Sequence, residues 1–393
     1  MNSVARAQAP FPRHVYIHVP FCSGKCSYCA FYSLPAASAA ISGYLSALAA
    51  ELDLRTGGHS TPKVETIYCG GGTPSVLSAA DWRTLAAMLH RRFDLRALRE
   101  WTVEANPGTL PPAKLRVLHD AGVTRISLGV QAWDDKTLRL LGRRHTVGDV
   151  PRTVAAIRAS GIRRLGIDLI AALPGVSLSA WKQTLRQVLE LGPDHVSVYA
   201  LSVEPGTRLR RAVVAGEVAV PDEHAQLRAL RVAEDVLGEA GLVRYEISNF
   251  ARPGGECLHN LTFWRGGDYI GFGPAAASRC GPRRWTNRAD LNAYLNTLQH
   301  GRLPPRTVER LDPGKDFAER LAFAFRLAEG VAPRELAERT LCAKESMNAQ
   351  LAVLDSLRHA GLLRRHGAAW LATARGRDLA DAIAAAILQS VSR

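Results

Sequence analysis

No apolar stretch in the chain approaches the roughly 20 residues that a membrane-spanning helix needs, so no transmembrane segment is expected, peripheral membrane contact aside. The opening MNSVARAQAPFPRH lacks the apolar core of a secretory leader, and a cytoplasmic protein is expected. Lysine is scarce. Arginine supplies most of the 50 Lys+Arg that stand against 36 Asp+Glu, a net charge of +14. Arginine scattered along a chain reads as a solvated surface, and it also suits anionic ligands or acidic partners. No nucleic-acid-binding module accompanies it, so no nucleic-acid partner is expected. The seven cysteines are an odd number in a long chain, which argues against a disulfide framework. Low-complexity segments are absent, and so is a G-x-G-x-x-G after the first expected strand, which weakens a dinucleotide-binding fold.

What is present is a regular alternation of strand and helix patterns over the first 250 residues. Expected strands are His14–Val19, Val64–Cys69, Trp101–Glu104, Thr124–Val130, Leu165–Ile170 and His195–Ala200, with Tyr245–Phe250 as one more. Helical faces lie between them. Ile41, Tyr44, Leu45, Leu48 and Leu52 share one face, and Ser78 is a cap before Trp82, Leu85, Leu89 and Phe93. Further helices are expected over Pro111–Ala121, Asp149–Ser160, Leu178–Leu191 and Asp222–Ala240. Repeated strand–helix units imply parallel strands with right-handed crossovers. The expected fold is α/β, a partial (β/α)6 barrel. From Arg252 to Asn287 the sequence turns rich in Gly, Pro and aromatics, and reads as irregular or short-stranded. Beyond about Asp316, Pro333–Glu338, Lys344–Ala360 and Trp370–Thr373 suggest helix, helix and small wing. That is a winged-helix-like tail, or simply a packing and docking domain.

Three cysteines crowd into eight residues as C-x3-C-x2-C: Cys22, Cys26 and Cys29. Thiolates are the usual ligands of Fe–S clusters. Four close a cluster, whereas three leave one iron open to a small molecule. Gly24 lets the loop turn between them. Zinc is the rival metal. It usually takes four protein ligands, and His18 or a distant cysteine would have to supply the fourth. Cys69, Cys257, Cys280 and Cys342 stand alone and read as small hydrophobes.

The segment YIHVPFCSGKCSYCAF resembles the signature of radical S-adenosylmethionine proteins. More narrowly, the chain resembles the group that contains haem chaperones and oxygen-independent coproporphyrinogen III oxidases, over nearly its whole length. The resemblance implies a 4Fe–4S cluster on Cys22, Cys26 and Cys29, with S-adenosylmethionine on the open iron. It implies cofactor contacts at Gly71, Gly72 and Thr73 of GGGTP, at Glu104, Gln131, Arg143, Asp168 and Ala200, and near Tyr16 and Tyr28. Most of these fall at or near C-terminal ends of expected strands, the ligand face of α/β barrels. Read without the resemblance, the glycines let a ligand approach backbone N–H groups closely.

His259-Asn260-Leu-Thr-Phe263-Trp264 resembles a motif that the same group associates with porphyrin or haem, and His259 is the candidate haem ligand. The alternative is a satisfied histidine beside a buried tryptophan. Phe263 stands where the motif usually has Tyr, and Ala277 where a following segment often has His. The oxidases carry a fourth Cys two residues after the third, where this chain has Phe31. The resemblance therefore favours a haem chaperone with haem as cargo and haem-accepting proteins as recipients. An oxidase of porphyrin biosynthesis and a related radical methyltransferase are the alternatives. An electron donor of flavodoxin type is implied, and the protein is expected to be a monomer or a dimer. The expected organisation is a tail over 1–13, the radical core over 14–250, an extension over 251–310 and a helical, winged domain over 311–393.

Overall fold

The structure, a computed structural model, describes residues 10–57 and 61–390. The first nine residues of the expected tail and the last three of the chain lie outside it. In chain order the elements start with β1 His14–Val19, β2 Phe21–Cys22, β3 Leu34–Pro35, α1 Ser38–Thr56, β4 Thr66–Gly71 and α2 Ala79–Arg92. They continue with β5 Glu100–Ala105, α3 Pro112–Ala121, β6 Arg125–Gln131, α4 Asp135–Leu140, α5 Asp149–Ala159, β7 Arg164–Ala171 and α6 Leu178–Glu190. Next come β8 His195–Ala200, α7 Arg208–Val214, α8 Glu223–Glu239, β9 Val243–Arg244 and β10 Asn249–Ala251.

One nine-stranded sheet runs β11-β1-β4-β5-β6-β7-β8-β10-β9, where β11 is Ile270–Phe272. The six strands β1 and β4 to β8 are parallel, each joined to the next by helix-bearing crossovers. Such strands must be buried on both faces, hence the near-continuous apolar runs. Trp82, Trp101 and Tyr44 are fully buried between sheet and helices. Local signals agree with packing. Ser78 and Asp81 form a reciprocal capping box that starts α2, and Asp222 caps α8 through Ala225 N–H.

Three elements differ from expectation. β4 begins at Thr66 and continues through Gly70 and Gly71, because pairing with β1 persists to Val19↔Gly71. Tyr245–Phe250 is not one strand. The Ser248 N–H donates to Glu246 Oε1 at 2.9 Å, making a turn between β9 and β10. β10 then pairs antiparallel with β8. The aromatic, glycine-rich stretch supplies α9 Leu258–Trp264 and then β11, which joins the open edge of β1 in parallel.

The remaining elements are β12 Ala277–Cys280, β13 Arg283–Asn287, α10 Leu291–Gln299 and β14 Arg306–Arg310. After them come α11 Pro313–Ala324, α12 Pro333–Thr340, α13 Lys344–His359, β15 Leu363–His366, β16 Ala369–Ala372, α14 Ala374–Asp378 and α15 Ala380–Gln389. Phe317, Leu321, Phe325, Leu354, Trp370, Ile383 and Ile387 form a second apolar core inside this C-terminal part. Helices and the β15–β16 hairpin stand where helix, helix and wing are expected.

Candidate functional site

The loop from Cys22 to Ser33 lies at the C-terminal end of β1. Its backbone is tied to two neighbours. Ser27 N–H donates to Leu141 O at 2.9 Å, and Leu209 N–H donates to Ser27 O at 2.8 Å. The Arg208 guanidinium donates to Lys25 O. At Gly24 a Cβ would stand 2.7 Å from Arg144 Nε, so a side chain there would have to displace that exposed arginine.

Cys22, Cys26 and Cys29 are each partly exposed and free. Among the described residues no three His, Cys, Asp or Glu side chains are grouped so as to hold a single metal ion. A zinc centre needs such a compact set, with bonds of about 2.3 Å to sulfur. A cluster bonds each thiolate to a different iron and tolerates a wider rim. The thiols are nonetheless neighbours, since burial raises the Cys29 pKa and the Cys26 and Cys22 charges raise it further. His18 is no fourth ligand. Its Nε2 meets Tyr32 O at 3.1 Å, its Nδ1 meets the Tyr16 hydroxyl at 3.3 Å, and burial lowers its pKa to about 4.

A polar frame joins two of the thiols. Cys22 Sγ lies 3.4 Å from Thr73 Oγ1, and Arg143 Nη1 donates to Cys26 Sγ at 3.5 Å. Asn106 bridges them, donating through Nδ2 to Thr73 Oγ1 at 3.3 Å and accepting from Arg143 Nη2 at 2.7 Å. Arg143 thus places a fixed cation beside the loop, where an anionic cluster would sit. Tyr28 lies beside Cys26 and Cys29, and burial pushes its pKa up.

The glycines serve a purpose other than the one expected. Gly71 N–H donates to Glu104 Oε2 at 3.2 Å, Gly72 N–H to Val19 O at 2.9 Å, and Thr73 N–H to Phe21 O at 2.7 Å. These donors are therefore taken within the protein, which leaves carbonyl groups rather than N–H groups to meet a ligand. The lack of side chains permits close approach instead. A Cβ on Gly72 would be 2.6 Å from Phe21 O. Gly71 has φ +101° and runs against the His18 ring.

Glu104 and Asp168 form the acidic side of the barrel mouth. Tyr68 OH donates to Glu104 Oε1 at 2.8 Å. Desolvation, with Asp168 adding to it, lifts the Glu104 pKa to about 7. Ser127 Oγ lies 3.1 and 3.0 Å from the two Asp168 oxygens, and burial raises that carboxyl too. Gln131 ends β6 at φ 70°, just after a register shift against β7. A bulge of this kind re-aims a side chain. Ala200 is the last residue of β8 and pairs with Ala171. Tyr16 stacks on Tyr68 at 6.2 Å between ring centroids.

His259 approaches from the other end of the barrel, its ring 5.3 Å from that of Tyr68 and 6.5 Å from that of Tyr16, centroid to centroid. Its Nδ1 is 2.9 Å from Thr66 Oγ1, which also meets His14 Nδ1 at 3.0 Å. Thr66 and His14 are the first residues of β4 and β1, so α9 closes the N-terminal end of the barrel, opposite the cysteine loop. His259 is buried, and its pKa is lowered to about 4 by desolvation. Its backbone N–H and that of Leu258 donate to Glu100, which is paired with Arg125 at 2.9 Å. Phe263 and Trp264 face away from the barrel and pack on Phe323 of α11, at 5.5 and 5.9 Å. Sequence reasoning missed Asn106, Tyr68 and Ser127. Asn106 lies two residues past Glu104 in the same VEANPG segment, a usable signal, whereas Tyr68 and Ser127 are ordinary strand residues.

Residues 16–188 match the family model described as the radical SAM superfamily. The chain is 37% identical to "Heme chaperone HemW" of Mycobacterium tuberculosis strain H37Rv, over 97% of this chain and 96% of that protein. It is 32% identical to "Heme chaperone HemW" of Bacillus subtilis, over 96% and 99%. Among solved structures it resembles coproporphyrinogen III oxidase (HemN) from Escherichia coli, with TM-score 0.84, 24% identity, and coverage of 97% and 91%; that likeness speaks for the fold. Relatives so similar over nearly their full length place the chain in the HemW family of radical S-adenosylmethionine proteins.

Proposed function

We propose that the protein is a haem chaperone that carries a 4Fe–4S cluster and S-adenosylmethionine at the C-terminal mouth of its barrel and delivers haem to recipient proteins in the cytoplasm. The observation that carries this reading is full-length similarity to proteins named haem chaperones, joined to a loop that presents three free, partly exposed cysteines in C-x3-C-x2-C spacing. Phe31, in place of a fourth cysteine, agrees with it. Bound together, cluster and cofactor supply one-electron radical chemistry, with an electron donor of flavodoxin type.

The residues then divide the work. Cys22, Cys26 and Cys29 bind iron, and Arg143 offsets negative charge beside Cys26. Carbonyl groups of the Gly71–Thr73 strap receive the cofactor's ammonium. Glu104 as a carboxylate accepts ribose hydroxyls, while Gln131, Asp168 and Ala200 line the rest of the cofactor site, with Tyr16 and Tyr28 nearby. His259 is the candidate haem ligand. Since its Nδ1 is bonded to Thr66, ligation would use Nε2 and require α9 to part from the barrel end. The chain is organised as a radical core over 14–250, an extension over 251–310 and a C-terminal domain over 311–393.

Anaerobic reconstitution with iron and sulfide, followed by haem titration and transfer to a haem-free acceptor protein, tests this. Expected are iron and sulfide bound in near-equal amounts, haem binding weakened in His259→Ala, and haem transfer. Protoporphyrinogen formed from coproporphyrinogen III would overturn the chaperone reading in favour of an oxidase, and a methylated product in favour of a methyltransferase. Bound zinc with no iron uptake would remove the basis of all three.

A further inference from the structure

The outer face of the cysteine loop has an unusual surface. Phe31, two residues after Cys29, is 71% exposed. Val214 at the end of α7 is 72% exposed, and Leu140 at the end of α4 is also exposed. Both helices are strapped to the loop, α4 through Ser27 Oγ donating to Leu140 O at 2.9 Å and α7 through Leu209 N–H. Around these apolar side chains the three segments and the turn after α4 carry Lys25, Arg139, Arg144, Arg208, Arg210 and Arg211, all exposed. Among the described residues none of the six pairs with a carboxylate. Elsewhere on the surface Arg152, Arg231 and Arg284 each have one, in Asp149, Asp378 and Glu309. An apolar centre whose rim is basic on balance, Asp134 beside Arg139 being a partial offset, is the pattern of a transient, electrostatically steered protein interface.

We infer that this face docks an acidic one-electron carrier protein, with Phe31 at the centre of contact and the arginines of α4 and α7 as its rim. The inference rests on the proposed cluster. A reductant must come close to the loop from outside, and this is the loop's exposed side. The transfer balances as one electron, the carrier oxidised by one and the cluster reduced by one. Charge selects the partner: six unpaired cations favour a carrier with carboxylates around its redox centre, and they steer encounter at low ionic strength.

The test uses the full-length protein and an acidic bacterial flavodoxin. Binding is measured by interferometry across a salt series, with and without reconstituted cluster. The triple variant Arg139→Glu/Arg210→Glu/Arg211→Glu should bind on the order of tenfold more weakly, with a flatter salt dependence. Phe31→Ser should weaken binding severalfold with the salt slope kept. Arg364→Glu/Arg365→Glu, in the C-terminal hairpin, should match wild type. In reconstituted protein, reduction of the cluster by reduced flavodoxin should slow in the triple variant, while reduction by photoreduced deazaflavin stays equal. Wild-type-like flavodoxin binding by the triple variant would overturn the inference. So would binding of phosphatidylglycerol vesicles or an oligonucleotide, lost in that variant, with no flavodoxin binding by wild type. Failure of the wild type to take up iron defeats the proposed function instead, and the binding measurement still judges the surface.

Discussion

Tyr68 and Glu104 show how a buried acid is set to a task. Glu104 faces Tyr68 and Cys69 of β4, Tyr16 of β1, Asp168 of β7 and Tyr199 of β8, with no cation among them. Burial lifts its pKa to about 7, and the bonds from Tyr68 and Gly71 hold it from rising further. If the carboxylate form accepts the ribose hydroxyls, binding of S-adenosylhomocysteine should fall as pH drops below about 7. In Tyr68→Phe the midpoint should move upward, and affinity at neutral pH should drop severalfold. Equilibrium titration across pH reads both. Stability follows the opposite sign. The folded pKa lies above the unfolded one, so the native state holds more protons between about 4.5 and 7, and this group's contribution declines as pH rises through that window. The melting temperature of Glu104→Gln should therefore decline less than that of wild type between those values.

At the next scale up, the glycine strap is the tightest joint between two elements. In Gly72→Ala the methyl group meets Phe21 and Val19 backbone at under 3 Å, and backbone cannot yield as a flexible side chain does. Overpacking of this kind costs about 1–3 kcal/mol. Because Phe21 precedes Cys22, iron uptake on reconstitution should fall along with denaturant stability. This joint also marks what was legible. The C-x3-C-x2-C spacing, the strand–helix alternation and the Ser78 cap are local patterns, and each is readable from a window of a few residues. The glycines show no strand alternation, because the pairing that carries β4 through Gly71 comes from β1, about fifty residues away. β11 is three residues long and has no alternation to reveal it. Gln131 is aimed by a bulge created between β6 and β7, which neither strand encodes alone. α9 carried a recognisable motif, yet only tertiary contacts with Thr66 and Glu100 assign it to the N-terminal end.

Over the whole molecule, two apolar cores are joined by charge as well as by the Phe263–Trp264–Phe323 contact. Arg279 of β12 pairs with Asp316 and Glu319 of α11, and Arg320 binds Asp316 in turn. All four are buried. Removing Arg279 leaves Asp316 with Arg320 and Glu319 with Arg284, so each carboxylate loses one of two partners, at a cost below the roughly 3–5 kcal/mol of a fully stranded buried charge. Arg279→Met should therefore lower the unfolding free energy from urea titration by less than that full cost, or split unfolding into two transitions as the C-terminal core loses its attachment. Circular dichroism with Trp fluorescence distinguishes the two.

The placement of α9 has a consequence for the opposite end of the barrel. Thr66 and Gly71 bound β4, five residue steps apart, or roughly 17 Å of strand. The His259 ring nonetheless stands 5.3 Å from the Tyr68 ring, centroid to centroid, and the Tyr68 hydroxyl bonds Glu104 at 2.8 Å, so a single side chain links the floor to the acid at the mouth. Loosening α9 from below therefore withdraws the packing that aims Tyr68, and with it the support of that acid.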